Sequence, residues 1–312
     1  MNHLGRVAVM IPCLNEEAAI PRVIAEFRKA LPEALIFVYD NGSSDRTIEV
    51  ARDAGAIVRR EPLLGKGNVV RRMFADVDAD IYVLVDGDDT YDAASAPGMI
   101  RKLVDESLDM INGAREEQSR DAYRRGHRFG NRMLTNLVAW FFGARLSDLL
   151  SGYRVMSRRF VKSFPALASG FEIETELTVH ALQLRLPIAE VATPYKGRPA
   201  ASSSKLRALP DGLRILKLIA RLIREERPLE FFSIAAGLLA LVSIVLAMPV
   251  ISEYFATGEV PRLPTAVLSL GLMLLAALSL VCGLILATVT RGRVESKRLH
   301  YLAYPIRKSR PD

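Results

Sequence analysis

The sequence predicts an α/β domain with a mostly parallel sheet, followed by an interface helix and two membrane-spanning helices. Three observations carry that expectation. Short apolar, β-type runs alternate with helix-like segments through the N-terminal part of the chain, which implies βαβ units. Three of those runs end abruptly in polar clusters, near Asn15, Asp40 and Asp86. Two uncharged apolar stretches, Phe231 to Ile251 and Thr265 to Val289, each exceed the roughly 20 residues that cross a bilayer core.

The elements follow in order. Arg6 to Leu14 reads as a buried strand that runs into Asn15-Glu16-Glu17 and a helix from about Ala18 to Ala30. Leu35 to Tyr39 is the second strand, and Ser44 or Asp45 can cap the helix from Arg46 to Ala54. Ala56 to Arg59 is a short third strand. Gly65-Lys66-Gly67 opens a helix over Asn68 to Asp76, and Ile81 to Val85 is the fourth strand. Asp109 to Gly113 and Ile188 to Thr193 are further strands. In 205–227, Arg214, Lys217, Arg221 and Arg224 recur at helical spacing beside an apolar stripe of Leu213, Leu216, Ala220 and Ile223. A basic amphipathic helix directly before a span is expected to lie in the membrane interface. Arg132 to Arg145 reads either as core or as a membrane-dipping helix.

The chain has 312 residues and a net charge of +7. No nucleic-acid motif accompanies the basic balance, so no nucleic-acid partner is expected. Anionic lipid and phosphate ligands explain the charge better. The two cysteines, Cys13 and Cys282, fall in a strand and a span, and no Cys/His spacing suggests zinc. The N-terminus shows no signal-peptide pattern, so residues 1 to about 230 are expected in the cytoplasm. The loop from Ser252 to Pro264 holds one basic residue, Arg262. The tail after Thr290 holds Arg291, Arg293, Lys297, Arg298, Arg307, Lys308 and Arg310. The positive-inside rule then places both flanks inside, in a multi-pass inner (plasma) membrane protein. The expected organisation is a catalytic domain over 1–204, a juxtamembrane helix over 205–230, two spans over 231–290 and a basic tail over 291–312. Glycines within the spans leave room for a homo-oligomer.

The run from Ile81 to Val85 ends in Asp86, Asp88, Asp89 and Asp92. A buried strand cannot hold unpaired carboxylates, so the chain must emerge there into a polar site. Ligands of open α/β sheets sit outside the carboxyl ends of the strands. Asp86-Gly87-Asp88 offers hard oxygens that suit Mg²⁺ or Mn²⁺ carrying phosphates. An acidic turn after a strand is the bland reading of the same residues. In a parallel sheet, the clusters Pro12–Glu17, Asp40–Asp45 and Asp86–Asp89 converge on one edge, and that convergence favours a site.

The set Ile11-Pro-Cys-Leu-Asn-Glu16, Val38-Tyr-Asp-Asn-Gly-Ser-Ser-Asp45, Gly65-Lys-Gly67 and Val85-Asp-Gly-Asp88 resembles the inverting family-2 glycosyltransferases of the GT-A fold. Ser151-Gly-Tyr-Arg154 and the two spans make the chain similar to polyisoprenyl-phosphate glycosyltransferases of the dolichyl-phosphate mannose synthase branch. The chain departs from many of these relatives at Asn41, where they carry a second Asp. The resemblance implies a nucleotide-sugar donor held by Pro12, Asn15, Glu16, Asp40, Lys66, Asp86, Arg198 and Lys205. It implies Asp86 and Asp88 as metal ligands, and Arg115 beside the reacting phosphates. It implies an acceptor-phosphate site drawn from Arg124 or Arg125, Arg128, Ser151 and Arg154, with Glu172 and Glu176 facing the sugar. The implied reaction moves one hexose-type sugar, from UDP more than GDP, to undecaprenyl or dolichyl phosphate. The lipid phosphate is already anionic and needs no strong base, while the cation and arginines stabilise the departing diphosphate.

Two other readings compete. A processive polysaccharide synthase would carry Gln-x-x-Arg-Trp, and Val138-Ala-Trp140-Phe does not match it. A non-catalytic nucleotide-sugar-binding membrane protein would tolerate loss of Asp86 or Asp88, and both are present. Gly65-Lys66-Gly67 lacks the remaining residues of an ATP-binding P-loop.

Overall fold

The alternation of apolar runs becomes a seven-stranded sheet in a computed structural model that describes residues 5–117, 147–196, 224 and 227–304. The strands are β1 (Val7–Cys13), β2 (Leu35–Asp40), β3 (Ile57–Arg60), β4 (Ile81–Leu84), β5 (Met110–Glu117), β6 (Arg154–Ser157) and β7 (Ile188–Tyr195). The helices between them are α1 (Ile20–Ala30), α2 (Thr47–Asp53), α3 (Lys66–Asp76), α4 (Ala96–Asp105), α5 (Arg158–Ser163) and α6 (Ile173–Leu184). The sheet order is β3-β2-β1-β4-β6-β5-β7. Every pairing is parallel except those of β6, which runs antiparallel to both β4 and β5.

Strand β1 shows why the first strands read as unbroken apolar runs. Val9, Ile11 and Cys13 join one core with Ile20, Ile24 and Phe27 of α1 and Met99 and Ile100 of α4. Ala8 and Met10 join a second core with Val70 and Met73 of α3 and Ile173 and Leu177 of α6. Successive side chains alternate between the faces of a strand. A strand covered by helices on both faces must therefore be apolar at every position. The five buried strand-to-core residues of β1 have no polar alternative.

The register fixes the site. Cys13 pairs with Asp40 across β1 and β2, and Met10 pairs with Leu84 across β1 and β4. The polar segments that follow β1, β2 and β4 thus leave the sheet at one edge, as expected. Strand β6 escaped sequence reading. It is four residues long, begins with a charged residue and runs against the parallel grain of the sheet.

Two compact units divide the chain, Met1–Ile215 with Lys297–Asp312, and Leu216–Ser296. The second unit holds α7 (Pro228–Thr257) and most of α8 (Leu263–Leu302). Both helices are long and apolar enough to cross a membrane. Only 17% and 11% of their most apolar windows are buried, whereas a core helix of a soluble protein would be mostly covered. Most of the buried positions are small and recur every seven residues: Ala236 and Ser243, then the larger Val250, on α7, and Ser269, Ala276, Gly283 and Thr290 on α8. Ser243 Oγ donates to the Ser269 carbonyl at 2.6 Å. A Cβ on Gly283 would lie 2.9 Å from Phe232 Cβ. Close backbone approach along a small-residue seam is how helices associate in lipid, where no hydrophobic drive exists between them. The juxtamembrane helix expected over 205–227, the Arg132–Arg145 helix and the basic tail beyond residue 304 lie outside the described residues.

Candidate active site

Beyond the carboxyl ends of β1, β2 and β4 lies a cavity of about 340 Å³. Its apolar walls come from Pro12, Leu14, Leu64, Val69 and Phe171, and its charged lining from Glu16, Lys66, Asp86 and Asp88. Of the expected donor residues, it gathers Pro12, Glu16, Lys66 and Asp86, together with Asp88 of the expected metal pair.

The strand ends are stitched together. Asn15 adopts a left-handed backbone with φ 53°, which short polar side chains tolerate best. Its Oδ1 accepts from the Ser44 amide at 2.8 Å, and its own N–H donates to Ser43 Oγ at 2.8 Å. Asp40 is buried, and its carboxylate accepts from the amides of Gly42 and Ser43. Asn15 and Asp40 therefore shape the strand ends and do not line the cavity. Asp45 accepts from the Thr47 amide at 3.0 Å at the start of α2. Hydrogen bonds from Thr47 and Glu17 hold its carboxyl below the usual range against the opposing effect of desolvation.

Asn41, the departure from the family pattern, has a specific job. Its Nδ2 donates to the carbonyls of Glu61 at 3.0 Å and Leu63 at 2.8 Å, and its Oδ1 accepts from the Gly65 amide at 2.7 Å. A carboxylate cannot donate to those two carbonyls. The amide pulls the 61–65 segment over the cavity and so positions Lys66. Gly65 has φ +122°, where side chains are strained. A Cβ on Gly67 would lie 2.7 Å from the Ala168 carbonyl carbon. Both glycines admit the backbone of residues 168–169 against the start of α3.

Lys66 lies at the floor. Its ammonium donates to Asp86 Oδ1 and contacts Glu174 Oε1 at 2.5 Å. Burial alone would lower its pKa, but the charges of Asp86 and Glu174 win and raise it. Burial pushes the Glu174 carboxyl up against the opposing pull of Lys66. Sequence reading missed Glu174, choosing its neighbours Glu172 and Glu176. The missed signal was helical phase: Glu174 lies in the first turn of α6, on the side packed into the core, where a buried carboxylate requires a cation. Glu176 accepts from the amides of Leu167 and Ala168, at 3.0 and 2.7 Å, so it braces the wall segment and is not turned to a sugar. Glu172 precedes α6 and has a buried Oε2 with no hydrogen-bond partner among the described residues.

Asp86 and Asp88 line the cavity as expected. Thr90 donates to Asp88 Oδ1 from its hydroxyl at 2.5 Å and its amide at 3.3 Å. Gly152 lets the Asp86 carboxylate lie against the backbone: a Cβ there would be 2.8 Å from Asp86 Cγ. Gly87 is equally tight, with a Cβ position 2.6 Å from Cys13 Sγ. Hard carboxylate oxygens beside a polyphosphate fit Mg²⁺ or Mn²⁺, which are commonly held by one or two carboxylates plus substrate phosphates. Among the described residues, no group of three or more His, Cys, Asp or Glu is placed to hold an ion.

Two acceptor residues are corrected. Arg154 is fully buried. Its guanidinium donates to the carbonyls of Ser151, Leu149 and Glu174 and to Thr178 Oγ1. Burial lowers its pKa to about 10. It ties β6 to α6 and has no donor directed at a lipid phosphate. Ser151 is likewise buried, with its hydroxyl given to the Gly113 carbonyl at 2.5 Å. Arg115 makes a bidentate pair with Asp148, Nε–Oδ2 2.7 Å and Nη2–Oδ1 2.8 Å, with its guanidinium 5.5 Å from the Tyr195 ring centre. It pins the 147–150 segment to β5. Arg124, Arg125, Arg128, Arg198 and Lys205 lie outside the described residues.

Comparison with known proteins decides the family. Residues 8–163 match the model of glycosyl transferase family 2. The chain belongs to glycosyl transferase family 2. A relative, the glycosyltransferase AglJ of Haloferax volcanii, is 35% identical over 228 residues, 72% of this chain and 75% of that one. The dolichyl-phosphate hexose transferase of the same organism is 30% identical over 71% of this chain and 95% of its own length. Among solved structures, glucosyl-3-phosphoglycerate synthase of Mycobacterium tuberculosis in complex with Mn²⁺, UDP and glucosyl-3-phosphoglycerate is 25% identical. It has a TM-score of 0.58, with 70% of this chain and 79% of that chain covered. The chain is thus a family-2 glycosyltransferase with the GT-A fold, and the expected fold class is observed.

Proposed function

We propose that this enzyme transfers a single hexose-type sugar from a nucleotide diphosphate sugar, UDP-linked in preference to GDP-linked, to a polyisoprenyl phosphate with inversion. The observation that carries the reading is the grouping of Asp86, Asp88 and Lys66 on one cavity in a chain with two exposed apolar helices. The UDP and Mn²⁺ of the mycobacterial synthase complex support the donor and the metal. The name of the Haloferax dolichyl-phosphate hexose transferase supports the acceptor.

In this reading Pro12, Leu14 and Phe171 cover the nucleoside, and Lys66 meets the diphosphate. Asp86 and Asp88 hold Mg²⁺ or Mn²⁺, which supplies charge stabilisation to the departing diphosphate. Arg124, Arg125 and Arg128 dock the acceptor phosphate, while Arg198 and Lys205 close on the donor; these five assignments rest on sequence. The hydrocarbon tail of the acceptor stays in the bilayer beside the two helices. The catalytic domain and both termini are cytoplasmic. That orientation is supported by the short 258–262 connection, whose one basic residue, Arg262, is paired with Glu253 at 2.8 Å.

The test is full-length protein in detergent with a panel of UDP- and GDP-sugars, Mn²⁺ or Mg²⁺, and undecaprenyl or dolichyl phosphate. A chloroform-soluble monoglycosylated lipid is expected. Transfer only to a water-soluble acceptor, or no glycolipid with any donor, would overturn the reading.

A further inference from the structure

Asp86, Lys66 and Glu174 form a chain of alternating charge that runs from the cavity into the core. Asp86 follows β4 and faces the cavity. Lys66 opens α3, and Glu174 lies behind it, buried, in the first turn of α6. The ammonium touches both carboxylates. Glu174 Oε2 has no hydrogen-bond partner among the described residues. An orphaned buried carboxylate oxygen is costly, so Glu174 depends on Lys66 for its compensation. Lys66 in turn occupies Asp86 Oδ1, while Oδ2 lies against Gly152, so a divalent cation approaching this carboxylate meets the ammonium.

We propose that Lys66 is a resident counter-cation for Asp86 before donor binds, tethered by Glu174, and that it makes divalent-cation and nucleotide-diphosphate binding mutually dependent. This rests on the donor reading above. Without nucleotide, an incoming cation must displace an ammonium already seated on Asp86. Repulsion from the incoming charge then drives the ammonium off Asp86 while Glu174 keeps it at the cavity floor. A diphosphate offers that ammonium a new anion, so each ligand makes room for the other. Glu174 acts here as a positioning residue: it keeps Lys66 within reach of both anions without touching either ligand. The Asp86 oxygen changes partner, and the lysine never has to leave the cavity.

The experiment measures Mn²⁺ binding to the full-length protein by the electron paramagnetic resonance of free Mn²⁺, with and without UDP. In the wild type, Mn²⁺ alone is expected to bind weakly and UDP to tighten it strongly. Lys66→Met should bind Mn²⁺ alone at least tenfold more tightly than wild type, with a correspondingly smaller gain from UDP. Glu174→Gln should move the other way: the ammonium then has only Asp86, and Mn²⁺ alone should bind severalfold more weakly. The double variant Lys66→Met/Glu174→Gln removes both buried charges together, and so tests the same point if the single lysine variant does not fold. It should still bind Mn²⁺ more tightly than wild type. A lysine with only a structural role would leave the Mn²⁺ isotherm in place. Unchanged or weaker Mn²⁺ binding in both lysine variants would overturn the proposal. If the wild type nevertheless binds Mn²⁺ and UDP together, the donor reading survives and only the counter-cation role falls. If the wild type binds Mn²⁺ under neither condition, both fall.

Discussion

Asn41 Oδ1 accepts the backbone N–H of Gly65 at 2.7 Å, and through that bond the end of β2 sets the start of α3. The same amide donates to the carbonyls of Glu61 and Leu63. Asn41→Asp should lose both donations and place a carboxylate against two carbonyl oxygens, destabilising the catalytic unit by about 1–3 kcal/mol. Urea unfolding checks the loss, and UDP affinity should fall with it. An unchanged midpoint would show that the 61–65 segment is held by other means.

The acidic pair gives the second expectation. Asp88→Asn should reduce transfer at least ~100-fold, because charge stabilisation of a leaving diphosphate is a large share of catalysis in such sites. The variant keeps an oxygen for the Thr90 hydroxyl and should unfold at the wild-type temperature. Chelation should abolish wild-type activity reversibly. Transfer that persists in chelator would remove the metal from the mechanism.

Gly152→Ala tests the packing under Asp86. The new Cβ would lie 2.8 Å from Asp86 Cγ, so the carboxylate must turn away. The Mn²⁺ concentration for half-maximal transfer should rise roughly tenfold (~1.4 kcal/mol), with little change in lipid KM. A normal Mn²⁺ dependence would mean that Asp86 does not need this seat.

Arg154→Met separates a structural arginine from a phosphate ligand. Three carbonyls lose a charged donor, and each unsatisfied buried acceptor costs about 1–3 kcal/mol. A loss of at least ~3 kcal/mol in stability is expected. A normally stable variant with only a raised KM for polyisoprenyl phosphate would restore Arg154 to the acceptor site.

His180 makes stability depend on pH. Its ring is buried edge-on to Phe160 and Phe164, and neither nitrogen has a hydrogen-bond partner among the described residues. Burial first, then the Lys297 charge, depress its pKa to about 3. The unfolded imidazole takes up its proton near pH 6.5, whereas the folded one stays neutral until about pH 3. The unfolded state therefore binds more protons between those values, and stability falls as pH falls. The loss is about 2 kcal/mol by pH 5. His180→Leu should flatten this slope between pH 7 and 5; an equal slope in both proteins would assign the acid sensitivity to other groups.

The parallel half of the sheet and the acidic pair were legible because β1, β2 and β4 are covered on both faces, which forces continuous apolar runs with abrupt polar ends. The helix hairpin was legible from length and composition alone. The antiparallel β6 was not, since four residues opening on a charged side chain carry no usable period. Motif matching placed Ser151 and Arg154 at the acceptor because it registers residue type and order, while their partners are backbone carbonyls that no motif records. Glu174 was passed over for a related reason: its role depends on Lys66, more than a hundred positions earlier in the chain.

The cavity is assembled from both ends of the catalytic unit. The Asp86 carboxylate rests on Gly152, and the lysine beside it is paired with Glu174. A nascent chain that has presented only its first four strands to solvent would therefore display the acidic pair without its seat or its counter-charge. Competence arrives when the segment carrying β6 and α6 leaves the ribosome, and a premature stop codon ahead of it would yield a protein with the signature motifs and no working centre.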